Sequence, residues 1–310
     1  MDKPVLLVNG AKWGALLGDA VDNAFDVLRP WQAADPAALI DTRCGDVAAV
    51  FAASLDAELL ARLPNLRLIV CPGAGYDGIP AAQARARGIT IANAGATHSV
   101  DVAEYAITLA LAAQARLPEL QAWVRDDEWA HGEFPVIRNA WSAERFGIVG
   151  LGNIGWAIAG RLTAIGGDVA WWGPHAKVAP WPRHETLMDL ARWCSVLLVA
   201  ARGDARHLVD ASIIDAVGAN GTIVNIARGQ VIDEDALIAA LRSGRLGYAA
   251  LDVFAHEPTP PARWQGVPHV IMTPHVAGVS RRSRHTLQAA AVQNLMHLID
   301  GRPLVHQVAG

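Results

Sequence analysis

The chain has little cysteine, no long hydrophobic run and no excess of positive charge, and each shortage excludes something. Its three cysteines, Cys44, Cys71 and Cys194, stand far apart among 310 residues. They have no paired spacing, which argues against a disulfide framework or a zinc site and suits reduced, buried thiols in a cytoplasmic protein. No segment approaches the roughly 20 apolar residues that cross a bilayer. The opening MDKPVLLVNG has neither the basic lead nor the apolar core of a secretory signal, so a soluble protein is expected. The formal net charge of −4 offers no basic surface for nucleic acid or an anionic membrane, which leaves a small molecule as the expected partner. Internal repeats and low-complexity linkers are also missing, and no metal site is expected.

What is present is a rhythm. With 52% hydrophobic residues the chain can bury a core large enough for two domains. Short apolar runs alternate with helical patterns: PVLLVNG, VAAVFA, LRLIVC and ITIANA, then RFGIVGLG, DVAWWG, SVLLVAA, GTIVNIA, YAALDVF and HVIMTPH. That alternation predicts an α/β protein with parallel sheets wound by helices. The first four strands fit a small domain of their own. The pattern SVDVAEYAITLALAAQARL, opened by Ser99 as an N-cap, leads into a second domain. A helix over RRSRHTLQAAAVQNLMHLIDG, stopped by Gly301 and Pro303, can return to the first.

In RFGIVGLGNIGWAIAGRL, Gly150, Gly152 and Gly155 have G-x-G-x-x-G spacing between an apolar strand and an apolar helix. The first glycine permits a tight turn, the second lets backbone approach a pyrophosphate, and the third lets helix and strand pack closely. The helix N-terminus then faces the anion. Such a loop predicts an acid about 20 residues on, at the end of the next strand, to hold a ribose 2′-hydroxyl. Here DVAWWGPHAK ends that strand at Gly173. With no acid to repel a 2′-phosphate and with His175, Lys177 and, from a neighbouring strand end, Arg202 as cations, NADP(H) is expected to be preferred over NAD(H). The alternative is that His175 and Lys177 are merely solvated and both cofactors are used.

Three later strands end in polar residues that a core does not need: Arg228 in VNIARGQ, Asp252 and Glu257 in LDVFAHEP, and His275 in TPHVAG. In a doubly wound sheet, ligands bind beyond the carboxyl ends of the strands, so these side chains should gather around the glycine loop. Arg228 can grip a carboxylate through two parallel hydrogen bonds. His275, paired with Glu257, can pass a proton to or from a substrate oxygen while hydride moves to or from a nicotinamide. Taken singly, Arg228 could be a surface ion-pair partner, Glu257 a turn residue and His275 a core histidine. Together they make the accidental reading hard to sustain.

In that order GLGNIG, VNIARGQVIDEDAL, LDVFAHEP and TPHVAG resemble the D-isomer-specific 2-hydroxyacid dehydrogenase family, particularly its glyoxylate/hydroxypyruvate reductase-like members. GAGYDGI and NAGATHSVDVAEYA resemble the family's substrate loop and interdomain entry. The resemblance implies a Rossmann-type cofactor domain (97–281) inserted in a smaller flavodoxin-like substrate domain (1–96 and 282–310), with catalysis in the cleft and a homodimer formed through the cofactor domain. It implies that His275 is the acid/base, that Glu257 orients it and raises its basicity, and that Arg228 anchors the substrate carboxylate and carbonyl. It puts Asp252 near the nicotinamide amide and extends cofactor contacts to Asn153, Ile154 and Ala227. The amides of Ala74 and Gly75 would hold the other side of the substrate carboxylate, with Tyr76 shaping the pocket. The implied reaction is reduction of a small 2-keto acid to the D-2-hydroxy acid.

The sequence departs from the family's usual pattern in two places. The Pro-x-Thr expected after the fourth cofactor-domain strand is Ala200-Ala201-Arg202, and the Gly-Lys that commonly precedes GIVGLG is missing from WSAERFGIVGLG. The first bears on the adenosine side of the site and leaves the catalytic trio intact. Arg281, Arg282 and Arg284 open a helix where positive charge opposes the dipole; they are read as a solvated face or as added positive potential at the active-site mouth. The stretch QAWVRDDEWAHGEF could supply part of a dimer contact or pack in the core. A relative acting on another small acid, and a nucleotide-sensing corepressor-like protein on the same scaffold, remain alternatives.

Overall fold

The computed structural model describes residues 3–130, 140–201 and 205–308. Internal contacts divide the chain into two compact units, residues 1–98 with 280–310 and residues 99–279. No helix among the described residues is long and apolar enough to cross a membrane.

In the first unit, β1 (Val5–Asn9), β2 (Asp26–Leu28), β3 (Val47–Ala52), β4 (Leu68–Val70) and β5 (Thr90–Ala92) form a parallel sheet in the order β2-β1-β3-β4-β5. This is the flavodoxin-like order. The apolar runs predict four of these strands. The fifth, β2, escapes detection because it is a three-residue edge strand with one buried residue, Leu28, and pairs only with β1. The helix Arg281–Asp300 opens on a Ser280/Ser283 capping box and closes at Gly301, in the left-handed region at φ 66°. It contributes Ala291 and Leu295 to one core with Leu6, Val8 and Leu68.

In the second unit, β6 (Arg145–Val149), β7 (Asp168–Trp172), β8 (Val196–Val199), β9 (Thr222–Asn225), β10 (Tyr248–Leu251) and β11 (Val270–Met272) form a parallel sheet ordered β11-β10-β9-β8-β6-β7. Helices cover both faces, so these strands read as continuous apolar runs without alternation. Val149, Leu197, Val199, Ile223 and Leu251 enter one core. Their strand neighbours Phe146, Ile148, Val196, Leu198, Val224 and Ala250 enter the other. Fully burying one such side chain contributes about 1.5–3 kcal/mol. The helix Ser99–Gln114 packs on the second of these faces and takes Ser99 as its first helical residue. Chain direction across the sheet reverses between β6 and β8, and that switch point opens a crevice at the strands' carboxyl ends.

Candidate active site

The glycine loop lies at this switch point. Gly150 follows β6 with φ 94°, and its amide donates to the Trp172 carbonyl at 2.8 Å. A Cβ there would stand 2.9 Å from the Cα of Ala201, so the turn is pressed against the end of β8. At Gly155 a Cβ would run into the Gly150 carbonyl oxygen, whereas at Gly152 it would meet nothing within 4 Å. Two glycines are thus required by packing and the middle one leaves room for a ligand. Gly152 caps the helix Asn153–Ala164, and Asn153 and Ile154 form its first turn, where unpaired amides favour an anion. These residues fit the pyrophosphate of a dinucleotide.

At the end of β7, Gly173 is buried, and a Cβ on it would come within 3.3 Å of the Trp171 ring. His175 and Lys177 are both exposed on the loop that follows. The Lys177 ammonium donates to the Leu151 carbonyl at 2.8 Å, which ties a cation to the glycine loop itself. Arg202 lies outside the described residues.

His275 and Glu257 are brought together by the loops after β10 and β11. His275 Nδ1 lies 2.7 Å from Glu257 Oε2. An ionised carboxylate can only accept, so Nδ1 carries the hydrogen and Nε2 is left for other chemistry. Burial works to raise the Glu257 carboxyl. The hydrogen bond from His275, that from the Phe254 amide, and the charges of His275 and Arg228 outweigh it and hold the group below its ordinary value. Glu257 is therefore a carboxylate whenever the pair operates.

His275 adopts the left-handed backbone region at φ 54°, uncommon for a residue with a Cβ. Its amide donates to the carbonyls of Asp252 at 2.8 Å and Thr273 at 3.0 Å. Asp252 is wholly buried. Its Oδ1 accepts from Thr273 Oγ1 at 2.6 Å and the Val276 amide at 2.9 Å, and its Oδ2 accepts from the Ala277 amide at 2.8 Å. The carboxylate thereby grips the chain on both sides of His275. Glu257 is braced as well: the amide of Phe254 donates to its Oε1 at 3.1 Å, and that of Ala255 donates to buried Glu234 at 3.0 Å.

Arg228 follows β9, half-buried, with Nη1 donating to the Ala227 carbonyl at 2.7 Å. Buried Asn225 fixes this turn, accepting from the Ala227 amide at 3.0 Å and donating to the Arg228 carbonyl at 3.1 Å. At Gly229 a Cβ would run into the backbone of Phe254 and Ala255. Only glycine lets the Arg228 turn lie against the turn that carries Glu257.

In the first unit, Ala74, Gly75 and Tyr76 form a half-buried loop after β4. Asn93 donates to the Ala74 carbonyl at 2.7 Å, and the Ala94 amide donates to the Gly73 carbonyl at 3.0 Å. Asn93, Asn225, Glu234 and Thr273 are supporting residues that motif spacing did not single out. The available signal was a polar residue closing an apolar run, as Asn225 does in GTIVN. The described residues contain no cluster of His, Cys, Asp and Glu able to hold a metal.

A histidine poised to exchange a proton on the same strand ends as a dinucleotide loop is what interconversion of a carbonyl and an alcohol requires, and the fold and site define a nicotinamide-dependent oxidoreductase. The chain belongs to the D-isomer specific 2-hydroxyacid dehydrogenase family, whose NAD binding domain matches residues 107–277. A glyoxylate/hydroxypyruvate reductase A of Arabidopsis thaliana is 35% identical over 298 residues, 94% of this chain and 95% of the relative. The 2-ketogluconate reductase of Gluconobacter oxydans is 36% identical over 81% of this chain and 82% of its own length. Among solved structures, the 2-hydroxyacid dehydrogenase of Ketogulonicigenium vulgare Y25 superposes with a TM-score of 0.89 at 34% identity, covering 100% of this chain and 99% of that one. The NADPH-dependent glyoxylate/hydroxypyruvate reductase of Sinorhizobium meliloti, in complex with citrate, gives 0.87 at 32% identity over 99% of this chain and 98% of that one.

Proposed function

We propose that this enzyme reduces glyoxylate, hydroxypyruvate or a keto acid of similar size to the D-2-hydroxy acid, with NADPH preferred over NADH. The His275–Glu257 pair at 2.7 Å carries the reading. A dinucleotide held at its pyrophosphate by the Gly150–Gly155 loop would supply the hydride from its reduced nicotinamide. Nε2 of His275 gives its proton to the oxygen that was the carbonyl, and the Glu257 carboxylate holds the ring's other nitrogen and offsets the imidazolium charge. Arg228 binds the substrate carboxylate and carbonyl, orienting the keto group. The amides of Ala74 and Gly75, with Tyr76, are assigned to substrate binding by the family resemblance.

Gly150, Gly152, Asn153, Ile154, Gly155 and Ala227 are assigned to the cofactor. Asp252 is assigned to the nicotinamide side, where it also holds the His275 loop. Gly173 in place of an acid, followed by His175 and Lys177, with Arg202 following a neighbouring apolar strand in the sequence, supports the NADPH preference; the family includes an NADPH-dependent relative of matching fold. The substrate domain is assigned to residues 1–96 and 282–310 and the cofactor domain to 97–281. A homodimer is supported by the tryptophan-bearing stretch, where Val124 and Trp129 are exposed and not in the core; its continuation past residue 130 lies outside the described residues.

The test follows NADPH absorbance with glyoxylate and with hydroxypyruvate. His275→Ala is expected to lower kcat at least about 100-fold, the low end for general acid catalysis, with cofactor affinity nearly intact. A variant within threefold of the parent would remove His275 from the mechanism. A parent enzyme that turns over neither acid would remove the substrate class.

A further inference from the structure

We infer that Arg183 selects the cofactor, its guanidinium receiving the adenosine 2′-phosphate in the position that an acid at 173 would otherwise control. The inference rests on the NADPH reading and names a residue that reading did not use. Motif spacing cannot find it, because Arg183 comes ten residues after the strand end it serves.

The chain leaves β7 at Gly173, passes through an exposed loop and comes back along the same strand. The Trp171 amide donates to the Pro182 carbonyl at 3.0 Å and the His184 amide donates to the Trp171 carbonyl at 2.9 Å, making a parallel bridge between Trp171 and Arg183. The Trp171 indole adds a hydrogen bond to the Trp181 carbonyl at 3.2 Å. β7 is the edge of its sheet, so it has a free side on which this return can pair. Backbone pairing therefore fixes the start of the Arg183 side chain.

From there the guanidinium lies over the Trp171 ring, 5.7 Å from its centroid, and Nη2 donates to the Gly173 carbonyl at 2.9 Å. One nitrogen is engaged on the backbone of the residue where the ribose-binding acid is missing, and the side chain is exposed. A guanidinium carries five donors, so the bond to Gly173 leaves capacity for a phosphate. The crowding of position 173 by Trp171 disfavours an acid, while the same ring seats the cation.

Lys177 is anchored on the Leu151 carbonyl, and the Gly150 amide is bonded to the Trp172 carbonyl. The two cations are thus tied to adjoining stretches, Gly150–Leu151 and Trp172–Gly173. They provide converging charge where the adenosine ribose must lie if the pyrophosphate sits on the glycine loop. The competing account is that Arg183 only guards a sheet edge, a common use of exposed cations. It predicts no discrimination between ligands with and without a 2′-phosphate.

Calorimetric titration with adenosine 2′,5′-bisphosphate and with 5′-AMP separates these accounts without relying on turnover. The parent enzyme should bind the bisphosphate more tightly. Arg183→Ala should weaken the bisphosphate by about 10- to 100-fold, the range for charge-assisted phosphate contacts, and 5′-AMP by less than about twofold. Arg183→Lys, which keeps charge but loses the fork, should fall between. Unchanged 5′-AMP affinity also shows that the variant is folded. If the parent prefers the bisphosphate and Arg183→Ala weakens both ligands equally or neither, Arg183 is not the selector and the NADPH reading stands. If the parent shows no preference for the bisphosphate, the NADPH reading falls and this inference with it.

Discussion

Replacing Glu257 by glutamine keeps the size of the side chain and removes its charge from beside His275, with consequences that can be worked from the geometry. Nδ1 and Oε2 are 2.7 Å apart, which puts the charge centres about 4 Å apart. At that separation two unit charges interact by about 1 kcal/mol in water and about 4 kcal/mol at the effective dielectric of a protein surface. The side chains of His275 and Glu257 are 48% and 35% exposed, so screening keeps the value toward the lower end, about 1–2 kcal/mol. A loss of that size corresponds to a fall of roughly 5- to 30-fold in kcat/KM wherever the imidazolium must form.

The sign follows from the chemistry. With His275 as the proposed acid, reduction needs the imidazolium, and activity falls as pH rises. Without the carboxylate the imidazolium is less favoured, and the falling limb should move to lower pH. The rising limb of the reverse, oxidative reaction should move the same way, since it depends on the same ring. Glu257 itself does not produce these limbs, because its carboxyl is held below the ordinary range and stays ionised across the assay. The assay is kcat/KM against pH from about 5 to 10 in both directions. A limb that stays within 0.2 units while the rate drops would refute the pairing and leave Glu257 a structural residue, since general damage lowers rates without displacing their pH dependence.

Three further outcomes are expected. Arg228→Lys keeps the charge and loses the two-pronged grip, so kcat/KM for keto acids should fall at least tenfold on the order of one charge-assisted bond; a lysine variant equal to the parent on every acid tested would contradict bidentate binding. Lys177→Ala and His175→Ala should each lower the ratio of kcat/KM with NADPH to that with NADH, measured at saturating keto acid, and an unmoved ratio would take that residue out of the phosphate site. Gly229→Ala forces a methyl group into the backbone of Phe254 and Ala255 and should cost upward of about 2 kcal/mol in denaturant unfolding; a loss under 0.5 kcal/mol would show that the two turns are not pressed together.

Much of this protein is legible from its sequence alone, wherever the physics is local. The glycine loop is one such feature, because turn, anion approach and helix contact all fall within six residues, Gly150 to Gly155. The parallel sheets are another, since strands buried on both faces must be apolar throughout. His275, Glu257 and Arg228 are recognisable as polar residues closing apolar strands.

Tertiary structure decided what those residues do to one another. The carboxylate of Asp252 is seen to clamp the His275 loop only when β10 and β11 are placed side by side, and Glu234 braces the Glu257 turn from a helix that begins 21 residues before Ala255. Three-residue β2 carries too few side chains for a periodic signal and exists because β1 offers it an edge. Arg183 shows the same limit at the cofactor site. A strand-end acid is sought at a fixed spacing, whereas a cation brought back by a chain reversal can sit at any sequence distance, and only the pairing of its backbone with Trp171 reveals where it lies.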